Sequence, residues 1–267
     1  MNDRLNYQAI TNPELVERTF NTSAWDNDKI LYPHPATAED EIVARLTRQR
    51  QAGQADIITL VDGAFDVPHP NHEEYLKHCR LAGAYNYLLS RNSEAPTVEQ
   101  VGSLATSSAL HLVVTVDADA KVSEKKSGAS SKGGVARPIY PWHERARRIA
   151  NYTFDTAEGP RYSANTVTVE GDPAHVNTAY FSSLSLAKHL QSANLLDTLV
   201  VFGEHDTTVG QAQDLNLNPT VMPSTNVYSI NPQTGRGYTS SGIIRRAQGQ
   251  PVEYPITSPL MPQNTEV

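Results

Sequence analysis

From residue 55 onward the chain alternates between short apolar runs and stretches of helical periodicity. The runs are "ADIITLVDG" (55–63), "LHLVVTVDAD" (110–119), "NTVTVEG" (165–171) and "DTLVVFGEHD" (197–206), with "PTVMPS" (219–224) as a fifth. Unbroken apolar runs of this length predict strands buried on both faces, as in a parallel sheet. The segments between them predict helices over 71–81, within "TVEQVGSLATSSA" (97–109), within "PWHERARRIANY" (141–152), whose proline suits a first helical turn, and within "TAYFSSLSLAKHLQSANL" (178–195). Ahead of the first strand, Thr37 caps a helix over 37–51 with acids in its first turn, arginines near its end and Gly53 as a stop. "SSGIIRRAQ" (240–248) reads as a short helix, and "KVSEKKSGASSKGGVARP" (121–138), rich in Lys, Ser and Gly, as a mobile loop.

Strand and helix in alternation is the signature of an α/β fold, a Rossmann-like parallel sheet with crossover helices. The 267 residues suffice for one large domain with a sizeable core. Residues 1–54 read as an N-terminal extension packed on that core, 55–248 as the main domain with an insert near 84–108, and 249–267 as a C-terminal tail. A net charge of −7 gives no polyanion-binding surface, so a nucleic-acid partner is not expected, although a local anion site is compatible with it. A single cysteine, Cys79, excludes an intrachain disulfide and a cysteine-based zinc site, and reads as a small buried residue. The polar N-terminus is no signal peptide, and no window reaches the ~20 apolar residues of a membrane span. A soluble cytoplasmic protein is expected, without membrane partners, and a homodimer is compatible with the chain.

In parallel α/β sheets ligands bind at the carboxyl ends of strands. "GAFDVPHPNH" (63–72) lies at such an end, with a helix starting behind it. Gly63 permits a tight turn or a close backbone approach. A helix N-terminus favours an anion, and His69 and His72 can donate hydrogen bonds to phosphate oxygens. By spacing alone, the two histidines are equally well ordinary loop-to-helix residues, or a metal pair on one helix face. His78, His111, His143, His175 and His189 lack comparable company and read as surface or structural residues.

Gly63, Phe65, Asp66, His69 and His72 resemble the G-x-F-D-x-x-H-x-x-H signature of the cytidylyltransferase-like nucleotidylyltransferases, relatives of the HIGH-type adenylate-forming enzymes. Asn71 stands where that family usually carries glycine. "GYTSSGIIRRA" (237–247) is similar to the serine/threonine motif that closes the family domain. "KGGVARPIYPWHER" (132–145) is similar to the lysine loop and R-P-x-x-P-x-x-x-R pattern of heptose-phosphate and glycerol-phosphate members, matched by Lys132, Arg137, Pro138, Pro141 and Arg145. The resemblance covers roughly residues 55–248.

The resemblance implies a HIGH-type nucleotidylyltransferase domain over that span. The implied enzyme joins NMP from ATP or CTP to a phosphorylated small molecule such as a sugar phosphate, releasing pyrophosphate with Mg2+ as cofactor. His69, His72, Lys132 and Arg137 would be catalytic. Gly63, Ala64, Phe65, Asp66, Asn71, Gly203, Asp206, Thr239, Ser240, Ser241 and Arg245 would bind nucleotide, with no protein-held metal. Asp66 is expected to support the motif loop or a magnesium-bound water. Two alternatives stand beside this: a non-catalytic nucleotide-binding or regulatory module of the same fold, and a metal-dependent hydrolase using His69, His72 and Asp66.

Overall fold

The computed structural model describes residues 30–31, 38–67, 69–92, 94–127, 137–156, 159–170, 182–202, 207–217, 219–222, 230–231, 236–237 and 243. In chain order the elements are β1 (Ile30–Leu31), α1 (Ala38–Gln51), β2 (Ile57–Gly63), α2 (Pro70–Arg91), α3 (Val98–Thr106), β3 (Leu110–Asp117), α4 (Asp119–Ser127) and α5 (Trp142–Asn151). There follow β4 (Thr153–Thr156), β5 (Gly159–Tyr162), β6 (Thr166–Glu170), α6 (Ser183–Ser192), β7 (Thr198–Phe202), α7 (Thr207–Asp214), β8 (Pro219–Met222), β9 (Ile230–Asn231) and β10 (Arg236–Gly237).

Six strands form one sheet in the order β1-β6-β3-β2-β7-β8, with every pairing parallel. With the two-residue β1 set aside, its five longer strands run third, second, first, fourth, fifth in chain order, that of a Rossmann-like doubly wound sheet. The fold is therefore α/β, as the alternation of apolar runs and helical segments predicts.

The apolar runs become strands because both sheet faces are covered. All eight residues of β3 are buried. On one face, Ile57 and Val61 of β2 and Leu112, Val114 and Val116 of β3 meet Tyr75, Leu76 and Cys79 of α2 and Ala146 and Ile149 of α5. On the other, Ile58, Leu60 and Val113 meet Ile42 and Leu46 of α1 and Leu186 and Leu190 of α6. The period-2 pleat sends alternate residues to opposite layers, and only a sequence apolar at both parities satisfies both.

Two polar fixings hold the amino-terminal side of the sheet. Arg50, at the end of α1, reaches Asp197 just ahead of β7 and the Asn194 carbonyl at 2.8 Å, while the same carboxylate accepts the Ile58 N–H at 2.8 Å. Arg80 of α2 is 3% exposed and donates to the carbonyls of Ala105, Ser107, Ser163 and Leu110 and to Asn165 Oδ1. Burial, with the Arg161 charge second, lowers the Arg80 pKa to about 10, so it stays charged at neutral pH.

The elements depart from the sequence expectation in several places, strand β1 and the β9–β10 pair among them. Helix α2 runs to Arg91, ten residues past Leu81. Gly83 does not stop it, because the missing side chain is what lets the helix lie against β2: a Cβ there would stand 2.0 Å from Thr59 Oγ1. The expected loop from Lys121 is helical as far as Ser127 in α4, anchored by buried Val122 and by a Lys121–Asp117 ion pair at 2.9 Å. The antiparallel β4–β5 ribbon and helix α7 were not expected. The predicted helix over 240–248 lies outside the described residues except for Ile243, which is helical. No helix among the described residues is long and apolar enough to cross a membrane.

Gly83→Ala should destabilise the fold by about 1–3 kcal/mol through overpacking against Thr59. Thr59 Oγ1 is buried without a hydrogen-bond partner among the described residues, so little is lost by removing it. Urea unfolding should therefore show Thr59→Ala restoring part of the stability in the Gly83→Ala background, a non-additive pair.

Candidate functional site

The chain leaves β2 for β3 on one side and later returns, through α6, to β7 on the other side of β2. Such a divergence marks the carboxyl end of β2 as the place where ligands of doubly wound sheets sit. Residues 63–72 occupy that end.

The segment is built around Phe65. Its φ is +46°, in the left-handed region that a branched or aromatic residue seldom adopts. The turn folds the ring back over Gly63, where an added Cβ would come within 2.8 Å of Phe65 Cε2. Gly63 is thus required by the approach of a neighbouring side chain. The Phe65 ring is buried and meets His72 edge-on, with centroids 5.3 Å apart. His72 in turn lies against His69, centroids 3.7 Å apart and planes inclined by 32°. His69 is the extended N-cap of α2 and makes no side-chain cap. Both imidazoles are 6% exposed, and Asn71 between them is fully buried.

Burial lowers the His69 pKa from 6.5 to about 4, so this ring is neutral at pH 7. Its Nδ1 is buried without a hydrogen-bond partner among the described residues. The start of α2 adds less backbone than a typical helix terminus: Pro70 has no N–H, and the His72 N–H is taken by the His69 carbonyl at 2.9 Å.

Asp66 has a different task. Its carboxylate accepts from Arg137 Nε, from the Ile139 N–H at 2.7 Å and from the Tyr140 N–H at 3.2 Å. At 2% exposure, Asp66 is the peg on which segment 137–140 hangs. Arg137, expected to clamp phosphate, is thereby fixed by its Nε to a protein carboxylate.

Arg145, in the first half of α5, is fully buried. Its Nε donates to the Tyr140 carbonyl at 3.0 Å, its Nη1 to the Ala64 carbonyl, and its Nη2 to the Asp117 carbonyl at 2.6 Å and to Asp119 Oδ1 at 2.7 Å. One guanidinium thus joins the motif loop, the end of β3, the start of α4 and segment 137–140. Nearby, Arg148 lies 3.5 Å over the Tyr140 ring and 3.7 Å from Glu144 Oε2. Burial raises the Tyr140 pKa, so its phenol stays protonated. Among the described residues, the cations at this end stand beside acids: Arg137 by Asp66, Arg145 by Asp119, Lys121 by Asp117 and Arg148 by Glu144. On the opposite side of β2, Ser183 Oγ at the start of α6 donates to Asp62 Oδ2 at 3.2 Å.

Of the residues singled out in the sequence, Gly63, Ala64, Phe65, Asp66, His69, Asn71, His72 and Arg137 form one continuous cluster. Lys132, Gly203, Asp206, Thr239, Ser240, Ser241 and Arg245 lie outside the described residues. The role of Arg145 was not read from sequence, although the R-P-x-x-P-x-x-x-R pattern marked its position. Asp119 carried no signal, because its function depends on an arginine distant in sequence. His111, at the amino end of β3, is a satisfied structural histidine bonded to Thr166 Oγ1 at 2.8 Å.

No protein-family model and no curated protein matches this chain.

His69 and His111 predict an acid-sensitive fold. Burial lowers each pKa from 6.5 to about 4, so the unfolded chain takes up protons that the folded state refuses. The stability at stake is complete above pH 6.5 and is lost as pH falls toward 4, by up to about 3 kcal/mol for each ring. Urea unfolding at pH 7 and pH 5 should show His69→Gln and His111→Gln each losing less between the two than the wild type. Equal losses would mean that the rings titrate alike in both states.

Proposed function

We propose that the protein is a nucleotidylyltransferase of the HIGH-type fold, moving NMP from ATP or CTP to a phosphorylated small molecule such as a sugar phosphate. The observation that carries this reading is the buried imidazole pair His69–His72 at the carboxyl end of the strand where the sheet's winding reverses. It favours an anion site because an imidazole at a helix N-terminus can donate a hydrogen bond to a phosphate oxygen, and His69 Nδ1 is buried without a partner among the described residues. Asp66, the nearest acid in the motif, is already taken by Arg137 and two backbone amides.

In this reaction an oxygen of the acceptor phosphate attacks the α-phosphorus in line. The P–O bond to the β-phosphate breaks, and pyrophosphate leaves with the electron pair. No protein nucleophile is needed, so catalysis is positioning and stabilisation of charge moving toward the leaving group. His69 and His72 would meet the α- and β-phosphates. Ser240, Ser241 and Arg245 would hold the β- and γ-phosphates, as the family resemblance implies. Lys132 would close on the acceptor or the triphosphate. Arg137 would chiefly order segment 137–140, leaving its Nη groups for a phosphate.

Magnesium would accompany the nucleotide and neutralise its phosphates. Among the described residues no three His, Cys, Asp or Glu side chains stand together as a metal site. We therefore assign no step to a protein-held ion. The same geometry disfavours the hydrolase alternative. A metal lies near the plane of each imidazole ligand, and two rings stacked with a 32° inclination do not aim both lone pairs at one point.

A pyrophosphate-release screen over nucleotides and phosphorylated acceptors tests the proposal. Once a pair is found, His72→Ala should lower turnover ~10²–10³-fold while the fold persists. Undiminished turnover would remove this residue from the mechanism. Nucleotide binding without release from any acceptor would leave the non-catalytic module.

Binding should also take up protons. A phosphate dianion beside the neutral His69 favours its charged form, so ATP titrated at pH 6.5 in buffers of different ionisation heat should register proton uptake that is absent in His69→Gln.

Asn71 allows a separate check. If the site is catalytic, Asn71→Gly should leave turnover unchanged or reduced. A wild type that binds no nucleotide, and gains binding only with glycine, would identify a degenerate module.

A further inference from the structure

Ala64 and Phe65 share one planar peptide unit, and rotation about the Phe65 N–Cα bond, its φ, sets that plane relative to the Phe65 side chain. Arg145 Nη1 donates to the carbonyl oxygen of this unit. The residue that follows has a φ of +46°, which a phenylalanine does not hold without support from its surroundings. Where the ring lands depends on that angle: over Gly63 and edge-on to His72, which lies against His69. A chain of direct contacts therefore runs from the guanidinium through the 64–65 peptide and the Phe65 ring to both imidazoles.

We propose that Arg145 is a positioning residue for the histidine pair, acting by fixing the Ala64–Phe65 peptide so that Phe65 holds His72 in place. Its function as an orienter of phosphate-binding groups rests on the nucleotidyl-transfer reading; the positioning does not. The remaining bonds of the guanidinium explain why this residue can do it. It is gripped by the Tyr140 and Asp117 carbonyls and by Asp119, so its plane is fixed by three elements other than the motif loop. A lysine cannot replace this grip, since one ammonium does not span acceptors arranged around a planar fork.

The test uses the full-length protein and the ring C–H resonances of its nine histidines, with the His69 and His72 signals assigned by His→Gln replacement. In folded Arg145→Lys the signals of His69 and His72 should move, while that of His111, at the far end of β3, stays in place. Phe65→Leu should move the same two signals, and the double variant should add little to either change. The apparent affinity for ATP should fall ~10–100-fold in Arg145→Lys, the scale of loss that misplaced binding groups produce.

Unmoved His69 and His72 signals in a folded Arg145→Lys protein would overturn the proposal, as would a uniform drift of all nine. If Arg145→Lys does not fold, Asp119→Ala loosens the grip from its 31%-exposed side, and the same two signals should shift to a smaller extent; no shift there overturns the proposal equally. Moved signals in the variant, with a wild type that binds no nucleotide, would uphold the positioning and sink the transferase reading. Nucleotide binding with unmoved signals would do the reverse.

Discussion

The carboxyl end of the sheet depends on one fully buried guanidinium. Arg145 donates to three backbone carbonyls and one carboxylate drawn from four separate segments of the chain. The carbonyls of buried Tyr140 and Asp117 would otherwise be acceptors in need of a partner. The charge itself would be costly to bury without Asp119, and the planar fork is what lets one side chain meet acceptors in several directions. Around this residue the motif loop, the end of β3, the start of α4 and segment 137–140 become one rigid body.

Arg80 does a parallel task at the other end of the sheet without any carboxylate. Its hydrogen bonds go to four backbone carbonyls and the Asn165 side chain, and its guanidinium lies 5.2 Å from the centre of the Phe154 ring. The two arginines divide the molecule's polar interior between them. The amino end, beneath Arg80, carries no candidate chemistry and is fastened for stability. The carboxyl end, around Arg145, is fastened so that a strained phenylalanine and two imidazoles keep one arrangement. Strain of that kind persists only where the surroundings over-determine it.

The charge pattern of the site follows from the same packing. Among the described residues, Lys121, Arg137, Arg145 and Arg148 each stand beside a carboxylate, so their fields are partly cancelled at short range. His69, whose pKa burial lowers to about 4, is a neutral member of this cluster. A neutral buried imidazole responds to an arriving anion by gaining a proton, whereas an arginine already beside a carboxylate has much less to offer. Arg137, which reads in the sequence as a phosphate clamp, is held to Asp66 by its Nε.

The sequence by itself determined the parallel α/β sheet and the place of its candidate site. A run such as 57–61 is apolar at both parities, with Thr59 its one polar residue, which points to a sheet covered on both faces. The glycine, the aspartate and the two histidines at the end of the first such run then fall where a doubly wound sheet keeps its crevice. Local pattern could not show that Gly83 continues a helix, since the reason is the Thr59 side chain across the layer. Nor could it show that Asp66 binds 137–140, or that Arg145 reaches Ala64, because these partners lie 71–74 and 81 residues apart. Residue type and spacing state which groups a segment carries. Which of them are consumed by the protein's own hydrogen bonds, and which are left for a ligand, is settled only when distant segments compete for the same donors.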